Sequence, residues 1–208
     1  MAIAVILMHS FCRGDDVGWR CAAELADARV DVMGYACLVA IMAMGPGYHR
    51  ESQTKLAQVA RAEGAHAAVI SSAGALIATL QELGLGKVAI LAPYMKPLTQ
   101  TVVDYIEAEG IEVCAAHALE ISDNLAVGRR PPELALNAAA EIDLTGAQAL
   151  VLSACVQMPA AAAIEAAEQK FGLPVVTASS CTVRQMLKAL NVVPIVSGFG
   201  AALSSQNA

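Results

Sequence analysis

Two cysteines stand in matching contexts. Cys37 closes the apolar run VMGYAC, and Cys155 closes the run LVLSAC 118 positions further on. A thiol at the end of an apolar strand meets whatever cleft lies beyond it. A following helix N-terminus can draw its pKa from about 8.5 toward neutrality. Two thiols facing each other suit chemistry that needs neither a metal nor a redox cofactor. One thiolate adds to an electrophile or takes a proton, and the other acts on the opposite face or holds the counter-proton. The competing reading for each is a buried cysteine serving as a small hydrophobe, and the matched pair is what favours chemistry. Cys12, Cys21 and Cys114 lack this context and read as structural or incidental. No close CxxC pair exists, which weakens a zinc site and a thioredoxin-type site.

Other polar residues fall beside the same kind of run. Tyr94 follows KVAILAP and is either a packing residue or a hydroxyl donor to an anionic group. Asn124, in DNLAVG, is a turn or cap residue, or an amide for a carboxylate. Ser71 and Ser72 precede Ala73 and Gly74, and SSAG is either a plain helix cap or an anion nest of hydroxyls and backbone N–H groups. His49 has no acid partner at readable spacing, and Arg50 is either a substrate contact or, the favoured reading, a solvated arginine at a helix start.

The elements that must position these residues alternate. Short apolar runs cover Ile3–Met8, Val30–Tyr35, Ala67–Ser71, Lys87–Ala92, Glu112–Ala115, Ala149–Ser153 and Pro174–Ala178. Most lack a polar/apolar alternation, as strands covered on both faces do. Helical stretches of three to four turns lie between them at Ser52–Glu63, Gly74–Leu83, Lys96–Glu109, Pro131–Ile142, Pro159–Phe171 and Thr182–Leu190. The pattern predicts an α/β protein with parallel sheet. Ligands then bind beyond the C-terminal strand ends, where YAC, SSAG, PYMKP, SAC and ASSCT fall. Two lobes are expected: residues 1–92, completed by about 180–208, and residues 93–179. Asp123–Arg130 reads as a loop able to close over the cleft between them.

Composition narrows the partners. Of 208 residues, 57% are hydrophobic, yet no apolar run reaches the ~18 residues of a membrane span. The first run lacks a basic flank, so a signal peptide is not expected. Net charge is −6 with 4% aromatic residues and no basic block, which argues against nucleic acid. No GxGxxG or Walker-type lysine supports a nucleotide. A reducing cytoplasm suits six cysteines in an alanine-rich chain of this size.

The stretches RCAAELADARVDVMGYACLVAIMAMGPGYHRE, SSAGALIATLQELG, KVAILAPYMKPLTQTVVDYIEAEGIEV, DNLAVG and ALVLSACVQMPA together resemble the maleate cis–trans isomerases of the aspartate/glutamate racemase superfamily. The resemblance runs from about Arg20 nearly to the C-terminus. It implies two similar α/β lobes of parallel sheet with the substrate, the dicarboxylate maleate, enclosed between them and no cofactor or metal. It implies Cys37 as nucleophile, adding to the double bond so that the single bond formed can rotate, and Cys155 assisting on the other side. Tyr94 and Asn124 are expected to hold carboxylates, and Ser71, Ser72, Ala73 and Val156 complete the expected substrate contacts. A homodimer and a place in nicotinate degradation are further implications.

Family members open with a strand ending in a PSSN-like loop, which has no counterpart here. Met1–Trp19 does not resemble the family. Either Ile3–Met8 supplies a substitute strand, or the first lobe is incomplete with an apolar sheet edge. The alternatives are an amino-acid racemase, an arylmalonate decarboxylase-like enzyme, or an inactive truncated relative that binds dicarboxylates.

Overall fold

The computed structural model describes residues 2–6 and 16–207. Residues 7–8 of the first expected strand, and Cys12, lie outside the described residues. Two parallel sheets form, as the alternating pattern requires. The first has the order β1 (Ile3–Ile6), β2 (Val32–Tyr35), β3 (Ala68–Ser71). The second has the order β5 (Glu112–Ala118), β4 (Lys87–Ala92), β6 (Ala149–Ser153), β7 (Val175–Thr177).

The helices are α1 (Asp16–Ala26), α2 (Leu38–Met42), α3 (Tyr48–Ala62), α4 (Ser72–Glu82), α5 (Lys96–Ala108), α6 (Asn124–Gly128), α7 (Pro132–Ala139), α8 (Ile164–Phe171) and α9 (Ala178–Ala189). Short 3₁₀ turns precede α8 and end the chain. Among the described residues no helix is long and apolar enough to cross a membrane.

The central strands show why continuous apolar runs became strands. Along β4, Val88, Ile90 and Ala92 face a core shared with the first sheet, while Ala89 and Leu91 face a second core. Along β6, Val151 joins the first core, and Leu150 and Leu152 the second. A side-chain period of two buries both faces. The larger core runs unbroken from Met33 and Leu76 to Ile90, Tyr105 and Val151, so one apolar mass connects the two sheets.

Several expectations are corrected. The expected boundary after residue 92 puts β4 in the first lobe, whereas β4 is hydrogen-bonded between β5 and β6 of the second sheet. α9 packs on α4, β2 and β3, across from the sheet it leaves. The last residues return toward the second sheet, where Glu168 Oε1 accepts from both Val175 N–H and Ala201 N–H, at 3.0 and 2.8 Å. α1 and α2 were not anticipated.

Residues 124–128, expected as a loop, form a helical turn, because the Asp123 carboxylate caps it by accepting from Leu125 N–H at 3.0 Å. β1 does supply a strand beside β2, and it carries Ile3 and Val5 each 47% exposed at the end of the sheet.

Candidate active site

Cys37 and Cys155 occupy equivalent positions. Each lies two residues beyond a strand, β2 or β6, that is flanked on both sides by partners in its sheet. Cys37 is half-buried and forms the N-cap of α2. Cys155 is buried and is held by its neighbour: Ser153 Oγ donates to Cys155 O at 2.6 Å and accepts from Cys155 N–H at 3.3 Å.

Tyr94 stands beside the Cys155 strand end. It leaves the end of β4, whose pairing with β6 is continued by Ala154 N–H donating to Leu91 O at 2.9 Å. The Tyr94 hydroxyl donates to Ala154 O at 3.2 Å. Burial first, then the charge of and hydrogen bond with Cys155, then the charge of Cys37, hold its pKa well above the ordinary tyrosine range. The ring keeps some exposure, and the hydroxyl is held at the backbone beside Cys155. The phenol therefore stays protonated, as a donor, throughout the physiological range.

The expected anion nest divides into two parts. Ser71 is a helix cap: its Oγ donates to Gln53 Oε1 at 2.8 Å and accepts from Gly74 N–H at 3.1 Å, and its N–H donates to Gln53 Oε1 at 3.0 Å. Its polar groups are thus engaged in holding α4. Ser72 is different, because its Oγ is fully buried with no hydrogen-bond partner among the described residues. Such an orphan costs about 1–3 kcal/mol. Ser72 and Ala73 also contribute N–H groups to the first turn of α4, where no intrahelical acceptor exists.

Asn124 is exposed at the start of α6, and its carbonyl accepts from Gln157 Nε2 at 2.8 Å. That bond ties α6 to the segment after Cys155. Val156 is half-buried, and its carbonyl accepts from Ser179 Oγ at 3.3 Å.

The remaining cysteines have other surroundings. Cys114 Sγ donates to Val88 O at 3.3 Å within the β4–β5 pair. Cys181, fully buried in α9, has its pKa pushed up to about 12 by burial, which makes it a poor nucleophile. Among the described residues no group of three or more His, Cys, Asp or Glu side chains could hold a metal.

Sequence reading missed the arrangement around His49. Its ring meets Tyr105, and Arg50 makes a two-pronged pair with Glu109 at 2.9 and 2.8 Å. The acid is Glu109, the C-cap residue of α5, and it pairs with Arg50 from 59 positions away and not with the His49 ring. It also missed Ser153, whose only signal was its place two residues before Cys155 in SAC.

Paired thiols at the strand ends of two parallel-sheet lobes define a class. The profile of the arylmalonate decarboxylase family matches residues 9–203. A maleate isomerase of Pseudomonas putida KT2440 is 55% identical over 185 residues, 89% of this chain and 74% of that protein.

Two solved structures agree in fold. A cysteine-to-alanine variant of the maleate isomerase Iso from Pseudomonas putida S16, with maleate, is 50% identical. It superposes with a TM-score of 0.91 over 93% of this chain and 78% of its own. A cysteine-to-serine variant of the Nocardia farcinica maleate cis–trans isomerase, with a covalently bound succinylcysteine intermediate, is 40% identical. Its TM-score is 0.90 over 95% of this chain and 81% of its own. The chain belongs to the arylmalonate decarboxylase family and, within it, to the maleate isomerases.

Proposed function

We propose that this chain isomerises maleate to fumarate without a cofactor, by reversible addition of the Cys37 thiolate to the double bond. The observation that carries the reading is the matched placement of Cys37 and Cys155, each two residues beyond an interior strand of its own sheet. The succinylcysteine seen in the Nocardia relative supports the same chemistry. A carbon–carbon double bond must lose its double-bond character before it can turn, and thiolate is a strong nucleophile near neutral pH.

Cys37 Sγ bonds to one alkene carbon, and the π pair moves to the neighbouring carbon and its carboxylate. Cys155 delivers a proton to that carbon, leaving a succinyl thioether with a central single bond. After rotation the Cys155 thiolate takes the proton back. The π bond re-forms as the Cys37 thiolate leaves, so electrons and protons balance over the cycle.

Each remaining residue has a part. The Tyr94 hydroxyl turns its one proton from Ala154 O to the place where negative charge gathers. The Ser72 hydroxyl and the N–H groups of Ser72 and Ala73 receive one carboxylate at the first turn of α4. Asn124 reaches the other from α6, Val156 forms a wall, and Ser71 fixes α4. The setting is a reducing cytoplasm, where the free cysteines persist as thiols.

The test is proton NMR of the purified, reduced protein with maleate. The maleate vinyl signal should fall as that of fumarate grows. A folded protein that leaves maleate unchanged, yet decarboxylates a substituted malonate or racemises an amino acid, overturns the proposal.

A further inference from the structure

The two lobes touch through a polar clasp that the chemistry above does not use. His49, 6% exposed, lies in the first turn of α3, against the first sheet. Its ring partners are Arg50, its neighbour on α3, and Tyr105 of α5, a helix that belongs to the second sheet and begins two residues after Tyr94. His49 N–H donates to Tyr105 Oη at 3.1 Å, and Nδ1 lies 2.6 Å from the same oxygen. Nε2 lies 3.1 Å from Arg50 Nη1, and the same guanidinium forks onto Glu109.

These contacts determine a tautomer. A guanidinium has donors and no acceptor, so Nε2 must accept from Arg50. A neutral imidazole has one acceptor nitrogen, so Nδ1 carries the proton and donates to Tyr105 Oη. That oxygen has two lone pairs, which take Nδ1–H and the His49 backbone N–H. Arg50 Nη1 has two hydrogens, one for Nε2 and one for Glu109. Adding a proton at Nε2 removes the Arg50 hydrogen bond and sets two cations 3.1 Å apart.

The ring also bears on the candidate site. His49 and Gln53, one turn apart on α3, press on the first turn of α4. A Cβ on Gly74 would lie 2.9 Å from His49 Cδ2 and 2.6 Å from Gln53 Oε1. Ser72 and Ala73 belong to that turn.

We propose that His49 is a positioning residue: as the neutral Nδ1–H imidazole it keys the α3–α5 clasp that sets the Cys37 lobe against the Tyr94–Cys155 lobe, and its protonation releases the Arg50 arm.

The charged environment agrees. Burial and then Arg50 lower the His49 pKa, and Glu109 opposes them. Tyr105 faces the ring from α5 as a neutral phenol, raised in pKa chiefly by burial. α2 and β3 carry no ionisable side chain. On α4, Glu82 is tied at the far end to Arg184 and Lys188. On α1, Arg20 pairs with Glu24 in solvent, and on α3, Lys55 pairs with Glu51.

Two measurements test this. Nitrogen-15 NMR of the imidazole should show a pyrrole-type Nδ1 and a pyridine-type Nε2, titrating below the ordinary 6.5. Maleate turnover followed between about pH 5 and 8 should lose kcat along the same titration. His49→Gln should lower kcat roughly tenfold at the upper end, change KM less, and remove the part of the acid limb that follows the imidazole titration, leaving the part set by the Cys37 thiol. The turnover arm rests on the proposed isomerase function, whereas the nitrogen shifts decide the tautomer even if maleate is not the substrate. An Nε2–H tautomer in the unmodified protein, or an acid limb unchanged in His49→Gln, overturns the proposal.

Discussion

The two lobes repeat one plan and diverge where it matters. β2 and β3 correspond to β6 and β7, and each pair is followed by a helix that starts as its last strand ends, α4 or α9. Cys37 and Cys155 hold the same place in that plan. Around Cys37 the chain turns at once into a helix, and the thiol is half-buried. Around Cys155 no helix follows directly. The backbone is pinned by Ser153, and the thiol is buried against the Tyr94 hydroxyl. Equivalent positions therefore offer different chemistry: an accessible sulfur on one side, and an enclosed sulfur beside a protonated donor on the other. This asymmetry supports Cys37 as the nucleophile and Cys155 as the proton carrier.

Exchanging the roles of the two thiols is the strongest way to break this contrast. Cys37→Ser and Cys155→Ser should each lower turnover at least ~10³-fold, or ~4 kcal/mol in barrier. They should differ in what accumulates. With maleate, Cys155→Ser should acquire a covalent adduct in the intact mass spectrum, and Cys37→Ser should not. An adduct on Cys37→Ser, absent from Cys155→Ser, would reverse the assignment.

The third position of the helices shows how packing writes different residues into one plan. Counting from the caps Ser71 and Thr177, it is Gly74 in α4 and Ser180 in α9. Ser180 completes a capping box with Thr177, each side chain accepting from the other's backbone N–H. In α4 there is no room: Gln53, His49 and Ser71 all lie within 3.0 Å of where a Cβ would stand. Gly74→Ala should lower stability by about 1–3 kcal/mol in urea unfolding, as overpacking does. The equivalent Ser180→Ala should cost nearer 1 kcal/mol, from its lost capping bonds. Equal losses would show that α3 does not press on α4 as the structure has it.

How much of this was legible in the sequence follows from the distance of the interactions. Lys87–Ala92 and Ala149–Ser153 were read at their observed limits, since strands buried on both faces are continuous apolar runs. β5 continues past Ala115 to Ala118 because β4 offers a ladder along its whole length, and polar His117 is carried with it. α3 starts at Tyr48 instead of Ser52 because Gly47, at φ 76°, adopts the left-handed conformation and ends the preceding turn. The paired thiols were visible because a short pattern recurs. The assignment of β4 to its sheet was not visible, nor was the bond from His49 to Tyr105 across 56 positions, because neither leaves a mark in local spacing.

The first position of the two helices gives the smallest and sharpest test. It is Ser72 in α4 and Ala178 in α9, both fully buried. Ala178 joins the apolar core, whereas Ser72 keeps a hydroxyl without a partner among the described residues. Were Ser72 only a packing residue, alanine would serve as well in α4 as it does in α9. Retaining the hydroxyl destabilises the fold unless something binds it, and a substrate carboxylate would supply the missing acceptor. Ser72→Ala should therefore raise stability by ~1 kcal/mol, by removing an unsatisfied buried group. The same change should raise KM for maleate by roughly five- to tenfold, the worth of one ordinary hydrogen bond. Stability and affinity moving in opposite directions would mark Ser72 as the point where the first lobe gives up packing for binding. A stability loss with KM unchanged would make it a structural serine and leave the carboxylate to Tyr94 and Asn124.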